Sequence, residues 1–381
     1  MRRLRVLFVQ PSLAPPGGGN GVASWMLQAL ASAHDVTLLT WGPVDFEELN
    51  RFWGTSLSPA ECRIVRVPAA IRRFLESMPV PLGLVRTAVM QRMARRMRAR
   101  FDVPITCNNE ADFGTLGVQY LHYPWHAPRP AADIRWYHGG SALRWYYAFC
   151  WWVGGFELAA AQRNITLVNS DWTGRLIRAQ GFVPRTLYPP VVAGPPGAPW
   201  EARVPGFVCI GRIVPEKQLD RVIDIVAGVR TQVPGVTLHI VGTRDDGPYH
   251  DRIAARARAA GFALHQGISR RDLDALIAAN RYGIHGMLEE HFGMAPAELV
   301  RAGCLVWVPN GGGQVEIVTD PRLIYGSVEE AIGKIVAVLR DPHEQATLRK
   351  HLAVRGERLS PERFMREVLE AVDDAAAGRA P

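Results

Sequence analysis

Short apolar runs alternate with amphipathic stretches along this chain. Residues 4–10 form an apolar run of strand length, and a loop rich in proline and glycine follows over 11–21. Residues 22–34 then carry apolar side chains at helical spacing, and 35–40 make a second strand. Two short strands joined by one helix are what a parallel crossover requires. The pattern restarts in the second half. Residues 206–210 predict a strand, 211–217 a loop, and 218–233 a helix with Leu219, Val222, Ile223, Ile225 and Val226 largely at helical spacing. Residues 236–241 predict the next strand, ended by Gly242. Further on, Pro296 fits the first turn of a helix that ends at Gly303, before a strand over 304–308.

The alternation predicts an α/β chain with two parallel sheets. Residues 188–200 hold five prolines and two glycines, as a connection between domains does. The expected division is a first domain over 1–190, a linker over 191–205, a second domain over 206–360 and a terminal helix over 361–381 that crosses back to the first. Each half is long enough to bury a core. A cleft between two such domains is the expected ligand site.

Composition narrows the class. Apolar residues make up 48% and charged residues 21% of the 381, which is globular composition rather than disordered. No apolar run reaches the roughly 20 residues of a spanning helix. The N-terminus is basic and then apolar, but its run over 6–9 is shorter than the roughly 7–15 residues of a secretory signal, so a cytoplasmic protein is expected. The five cysteines are scattered with no C-x-x-C pair, so reduced core thiols are expected rather than disulfides or zinc. The net charge of +8 is concentrated. Eight arginines between Arg72 and Arg100 face a single acid, Glu76, a local balance of +7. The remainder is nearly neutral, which argues against a distributed nucleic-acid surface.

Three stretches offer chemistry. Gly17-Gly18-Gly19-Asn20-Gly21 lies between the first strand and helix, where backbone N–H groups suit a phosphate, or where a plain flexible turn serves. It is neither a dinucleotide fingerprint nor a P-loop. Arg212 and Lys217 flank the turn after the second domain's first strand. Lys217 is one of only three lysines beside 41 arginines. An ammonium beside a guanidinium could clamp a diphosphate, or the two could pair with Glu216 at the surface. In Glu289-Glu290-His291-Phe292-Gly293-Met294-Ala295-Pro296-Ala297-Glu298, Glu290 precedes the helix and Glu298 is expected in its first turn. Carboxylates there could accept sugar or ribose hydroxyls, or simply favour the helix dipole.

Together these stretches resemble the family 4 retaining glycosyltransferases of the GT-B fold, which has two Rossmann-like parallel-sheet domains. Glu290 and Glu298 form E-x7-E around Phe292-Gly293, downstream of Gly211-Arg212-Ile213-Val214-Pro215-Glu216-Lys217. Tyr120-Leu121-His122-Tyr123-Pro124, Asn169-Ser170-Asp171-Trp172-Thr173, Tyr188-Pro189-Pro190-Val191 and Gly312-Gly313-Gln314-Val315-Glu316 are similar to segments of that family in the same order. Several of them resemble the lipid-linked-oligosaccharide mannosyltransferase branch.

The resemblance implies a donor such as GDP-mannose or a UDP-sugar, used as co-substrate with no cofactor and no metal. It implies a glycan or lipid-linked acceptor on the first-domain side. Arg212 and Lys217 would hold the donor diphosphate, and Glu298 the ribose. Glu290 would hold the sugar, with backbone groups at Phe292, Gly293 and Met294. His122 would reach the sugar, and Gly18 or Gly19 would approach the phosphates. His291 stands where a small residue or proline is common in the wider family. Asp272-Leu273-Asp274 falls in a helix-like stretch and is read as solvated. A non-catalytic nucleotide-sugar-binding protein, or an epimerase or phosphorylase of similar fold, is the alternative.

The basic stretch has a further reading. From Leu84 to Arg100, arginines and apolar residues interleave at helical spacing, and the segment from Trp136-Tyr137 to Trp151-Trp152 is unusually aromatic. Such segments could lie on an anionic membrane surface, at the inner face, or be a solvated helix and a core helix.

Overall fold

The computed structural model describes residues 2–15, 17–79, 82–125, 141–192, 194, 197–243 and 247–379. Trp136 and Tyr137, Pro81, and Ala193, Pro195 and Pro196 of the linker lie outside the described residues. The chain forms two compact units, one of residues 1–190 with 361–381 and the other of 191–360.

The first unit holds a seven-stranded parallel sheet ordered β3-β2-β1-β4-β5-β6-β7. Its strands are β1 (Arg5–Val9), β2 (Asp35–Thr40), β3 (Cys62–Arg66), β4 (Val103–Thr106), β5 (Val118–Leu121), β6 (Ile165–Val168) and β7 (Pro184–Thr186). β1 pairs β2 from Arg5↔Asp35 to Val9↔Leu39, and β4 on its other side from Val6↔Val103 to Val9↔Thr106. Side chains alternate across a strand, so one run feeds two cores. Val6 and Phe8 join a core with Met26, Leu30, Phe364 and Val368. Leu7 and Val9 join another with Met90, Ala94 and Phe113. Burial on both faces explains why β1 reads as an unbroken apolar run. The helix Pro361–Ala376 supplies Phe364, Val368, Ala371 and Val372 to the first of these cores.

The second unit holds a six-stranded parallel sheet ordered β10-β9-β8-β11-β12-β13. Its strands are β8 (Val204–Ile210), β9 (Thr237–Gly242), β10 (Ala263–Gln266), β11 (Asn280–Ile284), β12 (Leu305–Pro309) and β13 (Ile324–Tyr325). The chain runs outward from β8 to β10, then returns to the other side of β8 with β11. The order therefore reverses between β8 and β11. Such a reversal opens a crevice beyond the carboxyl ends of the two strands. In the first unit the same reversal lies between β1 and β4.

All five cysteines are buried and free, and burial pushes the Cys209 and Cys304 thiols up to about 12. Among the described residues no helix is long and apolar enough to cross a membrane.

Candidate functional site

The switch point of the second unit gathers the charged groups. β8 ends at Ile210, and the chain passes through Gly211 and Arg212 into a 3-10 turn, Pro215–Lys217. Lys217 thus sits on a folded turn rather than on the open loop expected, because Lys217 N–H donates to Val214 O and Gln218 N–H to Pro215 O. On the adjacent strand, β11 ends at Ile284, and the chain continues through His285 to Glu290.

Lys217 Nζ lies 2.5 Å from Glu290 Oε2, and His285 Nε2 lies 3.2 Å from the same oxygen. Residues 73 and 5 positions apart in sequence thus meet over the ends of β8 and β11. The pair is largely withdrawn from water, with side-chain exposures of 17% for Lys217 and 19% for Glu290. Burial alone would raise the Glu290 carboxyl. The His285 N–H and the Lys217 ammonium outweigh it and hold the group well below the usual carboxylate range. His285 is 2% exposed, and burial lowers its basicity despite the carboxylate beside it. It is a neutral donor to an ionised acceptor.

The loop after β12 locks this arrangement from behind. Gly313 N–H donates to Glu290 O at 2.7 Å, and Gln314 Nε2 donates to Met287 O at 2.6 Å. A Cβ on Gly312, whose φ is +70°, would lie 2.1 Å from Glu290 O, so only glycine fits there. Gly293 has a φ of +106° and turns the chain into the helix Met294–Arg301. Phe292 is 3% exposed and anchors the turn. Met294 is the first helical residue and Pro296 lies in the first turn. Glu298 therefore falls beyond that turn rather than within it, since the helix starts at Met294, two residues before the proline.

Glu298 belongs to a second cluster. Arg270, on the helix Arg270–Ala279, reaches Glu298 Oε2 at 3.2 Å and Asp274 Oδ1 at 3.0 Å. Burial raises the Glu298 carboxyl, Arg270 opposes it, and Asp274 adds to it. Asp274 is thus a partner of Arg270, and Asp272 sits in a helix start capped by Ser269. No group of three metal-ligating side chains is found among the described residues. Arg212 is exposed and makes no side-chain ion pair with a described residue, so it does not join Lys217 here. Nor does Lys217 pair with Glu216; its carboxylate is Glu290.

The first unit presents another polar edge. The helix Gly18–Ala33 begins four residues earlier than the sequence suggests, because Asn20 and Gly21 N–H groups both donate to Gly17 O. Gly18 and Gly19 are its first turn, not a loop. A Cβ on Gly19 would come within 3.2 Å of His122 Nε2. His122 follows β5. Its backbone N–H donates to Asn109 Oδ1, its carbonyl accepts from Asn169 Nδ2, and its ring lies 3.5 Å from Cys107 Sγ. The helix carries no acid in its first turn and no side-chain cap, so nothing in its own first turn offsets the positive end of its dipole.

Sequence reasoning placed Lys217, Glu290 and Glu298 in this region but missed His285 and Arg270. A histidine directly after Tyr282-Gly283-Ile284 is the one signal that pointed to the first; nothing in the helical spacing around Arg270 pointed to the second.

Comparisons with known proteins bear on this geometry. Residues 199–356 match the family model of glycosyl transferases group 1. The chain is 24% identical over 244 residues to the GDP-Man:Man(3)GlcNAc(2)-PP-Dol alpha-1,2-mannosyltransferase of Dictyostelium discoideum, covering 57% of this chain and 48% of that protein. It is 30% identical over 159 residues to the GDP-mannose-dependent alpha-(1-6)-phosphatidylinositol monomannoside mannosyltransferase of Mycolicibacterium smegmatis, covering 38% and 41%. The matched part spans less than half of either relative. In shape the chain is similar to HepE of Anabaena, crystallised with UDP and glucose, with a TM-score of 0.65 at 15% identity over 97% of this chain and 100% of that one. The second unit, with its lysine, histidine and two glutamates at the switch-point end of the sheet, is thus the part of the chain that resembles the glycosyl transferases group 1 model, in a chain of the GT-B fold.

Proposed function

We propose that this protein transfers a glycosyl group from a nucleotide-diphosphate sugar, GDP-mannose or a UDP-sugar, to a hydroxyl of a glycan or lipid-linked acceptor. The observation that carries the reading is the Lys217–Glu290–His285 cluster over the ends of β8 and β11, inside the segment matched to the group 1 model. Lys217 would leave Glu290 for the donor diphosphate, with exposed Arg212 as the second cation. Both would stabilise charge that grows on the leaving diphosphate. Glu290 and the backbone at Phe292, Gly293 and Met294 would hold the sugar, and Glu298 the ribose. In the first unit, the N–H groups of Gly18 and Gly19 with His122 beside them would receive phosphate or sugar oxygens. Retention of anomeric configuration and independence of divalent metal belong to this reading, as expected from the family 4 resemblance. No side chain is assigned as general base; the leaving phosphate would assist the acceptor proton.

The test is nucleotide release from a panel of UDP- and GDP-sugars in EDTA. Wild-type protein should release nucleotide from one of them, and Lys217→Ala should cut the rate by about 100-fold, the scale of a lost oxyanion donor. Binding without turnover would leave a nucleotide-sugar-binding protein. An unchanged rate in Lys217→Ala would remove the proposed site.

The proposal extends to an anionic membrane surface. On the helix Ser141–Gly154, Trp145, Phe149 and Trp152 lie on one face and are 77%, 49% and 73% exposed. The neighbouring helix Gly83–Met97 presents Arg92 and Arg96 to solvent, and Arg95 Nη1 joins the two elements by a bond to Gly155 O. The single acid of the basic stretch, Glu76, accepts from the Trp41 indole. Arg95 is paired with Asp112, whereas Arg92 and Arg96 have no acid partner among the described residues, and exposed aromatics beside such arginines suit an interface of anionic headgroups. A lipid-linked acceptor would be met at such a surface.

A further inference from the structure

We infer that His285 is the positioning residue of the sugar-binding carboxylate: it pins Glu290 by one oxygen and leaves the other uncommitted for a donor hydroxyl. The inference rests on the proposed glycosyl transfer and adds a residue that the E-x7-E pattern does not contain.

The geometry is asymmetric. Lys217 Nζ and His285 Nε2 both reach Oε2 of Glu290, at 2.5 and 3.2 Å. Oε1 has no hydrogen-bond partner among the described residues, yet it is not among the buried atoms left unsatisfied. One oxygen is therefore anchored and the other is open to an incoming group. An ionised carboxylate only accepts, so Oε1 selects a donor such as a sugar hydroxyl.

The two anchors are not equivalent. Lys217 carries an ammonium on a flexible stem, and a diphosphate competes for it. His285 cannot leave. Its N–H donates to Trp307 O at 3.0 Å, its carbonyl accepts the Tyr325 hydroxyl, and its ring is buried at the end of β11. When a diphosphate draws Lys217 away, His285 is the group that keeps Glu290 from rotating. A residue locked by sheet hydrogen bonds holds a ligand group more closely than a loop does. This also accounts for a fully buried imidazole beside a carboxylate, where an apolar side chain would fill the same space with no polar group to satisfy.

The prediction separates sugar from nucleotide. Calorimetry should compare UDP and GDP with UDP-glucose and GDP-mannose on wild type, His285→Leu and His285→Gln. Loss of a hydrogen bond to a charged group should weaken the nucleotide sugar by about tenfold in His285→Leu. The free nucleotide diphosphate should bind as in wild type. His285→Gln, which keeps an N–H donor, should recover most of the loss. A merely structural histidine would weaken both ligands together or neither, and either result overturns the inference. If the leucine variant fails to fold, His285→Asn, whose amide ends well short of Oε2, takes its place under the same criteria. Wild-type protein that binds none of the four ligands overturns the proposed function and this inference with it. Wild type that binds a nucleotide sugar, matched by His285→Leu, overturns this inference alone.

Discussion

Glu298, which the proposed function places on the donor ribose, sits against the interest of the fold. Burial raises its protonation point above the ordinary glutamate value, and Arg270 only partly offsets that. A carboxyl raised in the folded state binds its proton more tightly there than in the unfolded chain. Stability therefore falls as pH rises through the window between the unfolded and the folded values, and at neutral pH the ionised group is a net cost. Glu298→Gln should raise the melting temperature at pH 7.5, by roughly 2–4 °C if about 1 kcal/mol is recovered. The same variant should lose nucleotide affinity, since an amide accepts ribose hydroxyls less well than a carboxylate. A scan at pH 7.5 that finds it less stable than wild type would contradict this account. Glu290 is the opposite case: its carboxyl is held low, so its contribution is present above the unfolded value and is lost only as pH falls through the folded one.

At the scale of elements, the helix Ser141–Gly154 carries two apolar stripes. Tyr146, Cys150 and Val153 pack into the core shared with Val85, Ala88 and Met90. Trp145, Phe149 and Trp152, each one residue earlier, face solvent. Helical periodicity explains the first stripe and leaves the second outside the cores formed by the described residues. Wild-type protein should float with phosphatidylglycerol vesicles at low salt and less so at high salt, because the arginine contribution is screened. Trp145→Ala with Trp152→Ala should abolish flotation while leaving the fold intact. Equal flotation of that variant and wild type would dismiss the helix as a membrane contact. The helix Gly18–Ala33 makes a different point. Its glycine-rich start has poor helix propensity, yet Gly21 is buried against Trp53, where a Cβ would lie 2.7 Å from the ring. Packing decided that helix start.

For the whole molecule, the terminal helix Pro361–Ala376 is part of the first unit's core, since Phe364 is 1% exposed and meets the ring of Tyr120 at 6.1 Å. Phe364→Ala should cost about 3–5 kcal/mol. Hydrogen exchange should show the loss in β1, β4 and β5, with β8, β11 and β12 as protected as in wild type. Equal loss in both units would show that they do not unfold separately. The sequence alone determined the strand–helix alternation of both sheets, because buried parallel strands read as apolar runs and their crossovers as amphipathic helices. β2 was legible to the residue, and the apolar run and proline–glycine punctuation around the helix Met294–Arg301 marked where Glu290 and Glu298 stand. Tertiary structure alone decided which charges meet. Lys217 could have paired with its neighbour Glu216, but strand order laid the turn after β8 beside the segment after β11 and gave it Glu290 instead. It likewise brought Arg270 to Glu298 and His285 to Glu290. Periodicity reports which face of an element is buried, whereas an ion pair depends on which strand ends lie side by side, and that is a property of topology.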